Sequence, residues 1–141
     1  MSAALMRLLQ DCRERTAVAL EYESPDAEPL IAGDVAEQLY RIVREAISSA
    51  IGISGCMAVH VALGLRRDEL TLSVAATHAS NSAQEWRKAM NLSLMEYRAR
   101  IIGGALRVEA SSGGVTRMSV RAPLQGVNYS TSAPFRGGGS T

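Results

Sequence analysis

Two cysteines in 141 residues, Cys12 and Cys56, exclude a disulfide framework. They read as reduced, half-buried thiols of a cytoplasmic protein. No uninterrupted apolar run approaches about 18 residues, so no spanning helix and no membrane contact are expected. The N-terminal stretch MSAALMRLLQDCRER becomes charged too early for a secretory signal. Neither sign of charge dominates: 15 Lys and Arg against 14 Asp and Glu leave +1. That balance gives no general attraction to nucleic acid or to anionic lipid. Aromatic residues make up only 4%, yet 47% of the chain is apolar and 21% charged, a globular composition. The length suits one domain.

Several chemistries are missing as well. His60 and His78 have no C-x-x-C or H-x3-H spacing around them, so no zinc site is expected. There is no nucleophile elbow, P-loop or dinucleotide fingerprint. Gly113-Gly114 reads as a hairpin turn and Arg66-Arg67 as a charged one. His60 is expected to be exposed on a strand, and His78 to sit in a polar loop.

What is present is regular. Residues 2–16 read as a helix, with Leu5, Leu8, Leu9 and Cys12 at helical spacing. Val18, Leu20 and Tyr22 alternate as on a half-buried strand. Asp34 and Glu37 form a capping-box pattern before a long helix that runs to about Ile51. Its apolar stripe is Val35, Leu39, Ile42, Val43, Ala46, Ile47 and Ala50. Val59 to Leu65 and Leu70 to Ala76 alternate strictly around a turn at 66–69, which is a hairpin. Thr77 to Ser82 read as a loop. A second long helix is expected over about 83–102, with Trp86 and Met90 in the core and Gly103-Gly104 as its stop. Leu106 to Val108 and Val115 to Val120 form a last hairpin, and 125–141 a flexible Gly/Ser/Thr tail. The expected fold is α+β over residues 1–124: a two-layer sandwich with a mixed, mostly antiparallel sheet of about five strands. Three helices are expected to cover one face.

LYRIVREAISSAIGISG (39–55) resembles the N box of the histidine-kinase catalytic domain. MEYRARIIGGALRVEASSGGVTRMSVRAPL (95–124) resembles that domain's C-terminal end, with its Met-Arg-Glu-Arg-Ala helix, Gly-Gly stop and closing hairpin. The chain is most similar to the nitrate-sensor-like and desaturase-thermosensor-like kinases of two-component systems. The resemblance covers about residues 3–124 and implies the Bergerat (GHKL) fold.

It also implies where a nucleotide would bind. Glu45 matches the N-box Glu. The magnesium-binding Asn position is Ser49, and the following Lys-His pair is Gly52-Ile53. The Asp-x-Gly-x-Gly box, whose Asp accepts the adenine amino group, reads Ala76-Thr77-His78-Ala79-Ser80. The Gly-x-Gly box reads Ala89-Met90-Asn91, after a stretch at 81–88 that is short for an ATP lid. Thr116 is retained. Losing a charge-assisted bond to adenine costs roughly 1.5–3 kcal/mol. With the glycines and the metal ligand also lost, about 4 kcal/mol corresponds to roughly a thousandfold in affinity.

The resemblance therefore implies a degenerate catalytic domain of a sensor kinase, without ATP or magnesium, acting through protein contacts. Its partners would be the dimerisation and phosphotransfer helices of a longer parent sensor and a response regulator. Two alternatives stand beside it. One is an active catalytic domain that binds ATP and magnesium with divergent motifs. The other is the Bergerat-like part of a histidine phosphotransferase.

Overall fold

A computed structural model of the chain describes residues 1–79 and 83–124. The element order is α1 (Ser2–Arg13), β1 (Ala19–Glu23), α2 (Gly33–Ile51), β2 (Cys56–Arg66), β3 (Glu69–His78), α3 (Ala83–Ala89), α4 (Leu92–Ile101), β4 (Ala105–Ala110) and β5 (Val115–Pro123). The strands form one sheet in the order β1-β2-β3-β5-β4. Only β1 pairs in parallel, with β2, and α2 supplies the crossover that a parallel pair requires.

Alternation fixes which face is covered. Val59, Val61 and Leu63 of β2 lie opposite Ala76, Val74 and Leu72 of β3, and all six are buried. Met118, Val120 and Ala122 continue this face on β5. The helices lie over it. Leu39, Ile42, Val43, Ala46, Ile47 and Ala50 of α2 are buried at helical spacing, as are Leu5, Leu8, Leu9 and Cys12 of α1. Each large aliphatic side chain so buried contributes about 1.5–3 kcal/mol.

Four expectations need correction. The first helix ends at Arg13 rather than near residue 16. The capping box does not form: α2 begins at Gly33 with Ala32 as its N-cap, Asp34 accepts from the adjacent Val35 N–H, and Glu37 pairs with Arg41 at 2.9 Å. The second long helix is two helices, so the described residues form four α-helices rather than three. The break falls at Asn91, which leaves helical geometry (φ −82°, ψ 78°) and accepts the Leu94 N–H on its side chain, starting α4 afresh. Finally, β3 runs on through Thr77 and His78, which are strand and not loop. Residues 80–82 and the proposed tail, 125–141, lie outside the described residues.

The Gly103-Gly104 stop forms as expected. Gly103 has φ +73°, its N–H donates to Arg100 and the Gly104 N–H to Ala99, a Schellman closure. The 3-10 turn Ser112–Gly114 joins β4 to β5.

Candidate functional site

The positions singled out by sequence fall into three groups. Ala76, His78 and Thr116 are interior, each at most 3% exposed. Ala76 on β3 is the register partner of Thr116 on β5. His78 ends β3 on the same face and lies under α2. Its Nε2 is 3.2 Å from the Ala50 carbonyl oxygen. A carbonyl only accepts, so Nε2 carries the hydrogen in this pair. His78 Nδ1 and Thr116 Oγ1 have no hydrogen-bond partner among the described residues.

Glu45, Ser49 and Ile53 form the second group, partly buried along α2 and the turn after it. Ser49 Oγ donates to Glu45 Oε2 at 2.9 Å, so these two side chains satisfy each other across one helical turn. Ile53 packs against the core. Ala89 and Asn91, the third group, are exposed at the junction of α3 and α4. Asn91 Oδ1 is already engaged by the Leu94 N–H at 3.2 Å. Ser80 lies outside the described residues.

One residue links the interior group to α2. Trp86 of α3 is fully buried. Its indole Nε1 donates to the Ala46 carbonyl at 3.0 Å, and its ring lies 5.9 Å from that of His78, tilted by 38°. Met90, one turn on, is buried as well, so the core reading of both residues holds. Sequence gave Trp86 a place in the core but no role in this region. The signal available was its position as the sole tryptophan, one turn before Met90, in the otherwise polar stretch AQEWRKAM.

A cleft of about 260 Å³ runs on the outer side of α2, between it and α4, past Glu45. A groove of about 900 Å³ lies at the opposite end of the sheet around Arg67 and Gly104 and touches none of these positions. Neither cysteine offers a nucleophile here. Cys12 is buried, and burial pushes the Cys56 thiol up against the pull of a backbone hydrogen bond at Ala58. His60 is half exposed on the open face of the sheet, beside Glu21 at 3.5 Å and Glu23 at 3.3 Å.

A mixed five-stranded sheet with four helices is also found in solved structures. The catalytic domain of histidine kinase ThkA matches with a TM-score of 0.69 at 12% identity, over 87% of this chain and 91% of that one. The fold is that of histidine-kinase catalytic domains. A histidine kinase from Burkholderia phymatum STM815 matches with a TM-score of 0.70 at 18% identity, over 88% of this chain and 68% of that one. The mycobacterial sensor histidine kinase MprB matches with a TM-score of 0.66 at 21% identity, over 87% and 93%. In sequence, the chain is 28% identical over 125 residues to the sensor histidine kinase LiaS of Bacillus subtilis (strain 168). That match takes in 88% of this chain and 34% of LiaS, so the chain spans about a third of the length of that relative. No protein-family model matches the sequence. No helix among the described residues is long and apolar enough to cross a membrane.

Proposed function

We propose that this chain is a degenerate, nucleotide-free catalytic domain of a two-component sensor and works in the cytoplasm through protein contacts. The observation that carries the reading is the burial of Trp86. Its indole stands between α2 and the end of β3, bonded to Ala46 and beside His78. By resemblance, adenine would lie against Ala76, two residues before His78 on β3.

The donor set agrees. Ala76 presents a methyl group where a carboxylate would accept the adenine amino group. Ser49 spends its hydroxyl hydrogen on Glu45. The serine hydroxyl is also shorter than the asparagine amide that the resemblance implies at this position, so its oxygen reaches less far toward a metal. The side chain of Asn91 caps α4 where a glycine would let backbone approach phosphate. These residues do not fit ATP with magnesium, and no phosphoryl transfer is routed through them.

The resemblance to LiaS favours a role inside a longer sensor. There the domain would pack against dimerisation helices or hold a response regulator. Isothermal titration of the chain with ATP and magnesium tests the nucleotide part. The expected dissociation constant is about tens of millimolar, and a value below about 1 mM overturns the reading.

A further inference from the structure

We infer that the groove between α2 and α4 is a docking site for an acidic amphipathic helix of a partner protein. The inference deepens the protein-contact reading above and rests on it. One wall of the groove starts at Leu94 and leads onto an apolar row along α4, of which only Leu94 lines the groove itself. Leu94, Tyr97 and Ile101 of α4 are 42%, 55% and 52% exposed. Their i, i+3, i+7 spacing puts them in one row, turned away from the buried Met95 and Ala99. No other described element exposes three large apolar side chains.

The other wall is basic. Arg41 and Arg44 of α2 and Arg98 of α4 line the cleft together with Leu94, so the two walls are continuous. Arg98 bonds only the neutral Gln38 amide, at 3.1 Å, and Arg44 has no ion pair among the described residues. The one carboxylate in the lining, Glu45, already accepts from Ser49. Arg41 is already held by Glu37 at 2.9 Å, so the Arg44 and Arg98 guanidiniums, without an ion pair among the described residues, stand beside one engaged carboxylate.

Charge and shape select the occupant. A helix laid into a groove between two helices presents apolar residues at the same spacing as the α4 row. Carboxylates along its flank would meet guanidiniums, which recognise them with two parallel hydrogen bonds. Nucleic acid would use the arginines and stack on Tyr97 alone, gaining nothing from Leu94 and Ile101, so a single-stranded oligonucleotide is one arm of the test.

The test uses the full chain, labelled with nitrogen-15, and a synthetic helical peptide. The peptide carries leucines at i, i+3 and i+7 and glutamates along both flanks. Binding is expected at about tens of micromolar, with amide shifts confined to residues 41–48 and 94–101. Arg44→Glu, and separately Leu94→Ser with Ile101→Ser, should each weaken binding about tenfold or more. Because these side chains are exposed, melting temperatures should hold, which separates lost binding from lost folding. A scrambled peptide and a lysine-flanked peptide should each bind at least about tenfold more weakly. The inference is overturned by no binding below about 1 mM, by equal binding of the scrambled peptide, or by shifts elsewhere on the chain. Tighter binding of a single-stranded oligonucleotide or an anionic vesicle also overturns it. The ATP titration is independent, so failure of either idea is visible without the other.

Discussion

The Nε1–H of Trp86 donates to the backbone carbonyl of Ala46, 40 residues earlier, across 3.0 Å of fully buried space. That bond ties α3 to α2 at the point where the sheet ends in His78. It gives α3, only seven residues long, a reason to be ordered: an isolated helix of that length is not stable in water.

Removing the indole should therefore be costly. Trp86→Ala is expected to destabilise the chain by about 3–5 kcal/mol, from lost burial plus the cavity left behind. Trp86→Phe keeps most of the packing and loses the hydrogen bond, for about 1–2 kcal/mol. Urea denaturation of the three proteins checks the order.

A second expectation concerns Ala76, which is fully buried between Val59 and Thr116. Ala76→Asp should cost about 3 kcal/mol or more, because a carboxylate there has no charged partner. Burial would raise the pKa of that carboxyl, so the folded state would hold a proton that the unfolded chain releases. The cost therefore grows as pH rises from acid to neutral. Urea midpoints at two pH values measure this. On the proposed reading Trp86 also blocks the nucleotide, so ATP with magnesium should not raise the melting temperature of this variant.

Two adjacent glycines separate strain from steric clash. Gly113 and Gly114 both have positive φ, +79° and +77°. A Cβ on Gly113 meets nothing within 4 Å, whereas one on Gly114 would overlap the His78 carbonyl oxygen. Gly113→Ala should cost about 1 kcal/mol from the left-handed backbone alone. Gly114→Ala should cost clearly more, about 3 kcal/mol, since backbone must also move. Thermal melts of the pair give the comparison.

Acid sensitivity should have a local source in Glu28. Hydrogen bonds from Ser2, then the nearby N-terminal amine, hold its carboxyl down to about 2 from an ordinary 4.5. The stability it supplies is present above pH 4.5 and is lost as pH falls toward 2. The side chain is 47% exposed, so the effect is about a few tenths of a kcal/mol. Glu28→Gln should flatten the melting temperature against pH in that window.

Much of this architecture was legible in the sequence because it is periodic. The β2–β3 hairpin could be read from strict alternation, and the end of α4 from Gly103-Gly104. What escaped was set by competition or by distance. Asn91 sits inside an apolar pattern compatible with one long helix, and only its side chain bonding the Leu94 N–H breaks that helix. His78 keeps the parity of Leu70 to Ala76, but its polar neighbours suggested a loop. Trp86 could be assigned to the core from its spacing. Its partner carbonyl, 40 residues away, could not be read locally.

On the proposed reading, Trp86 fills the space a nucleotide would need. The chain has one tryptophan, so its indole N–H gives a single resonance in a proton–nitrogen spectrum. That resonance should exchange slowly with solvent and stay in place up to about 1 mM ATP with magnesium. A shift that saturates below about 1 mM, or an indole proton that exchanges as fast as an exposed one, would contradict the account.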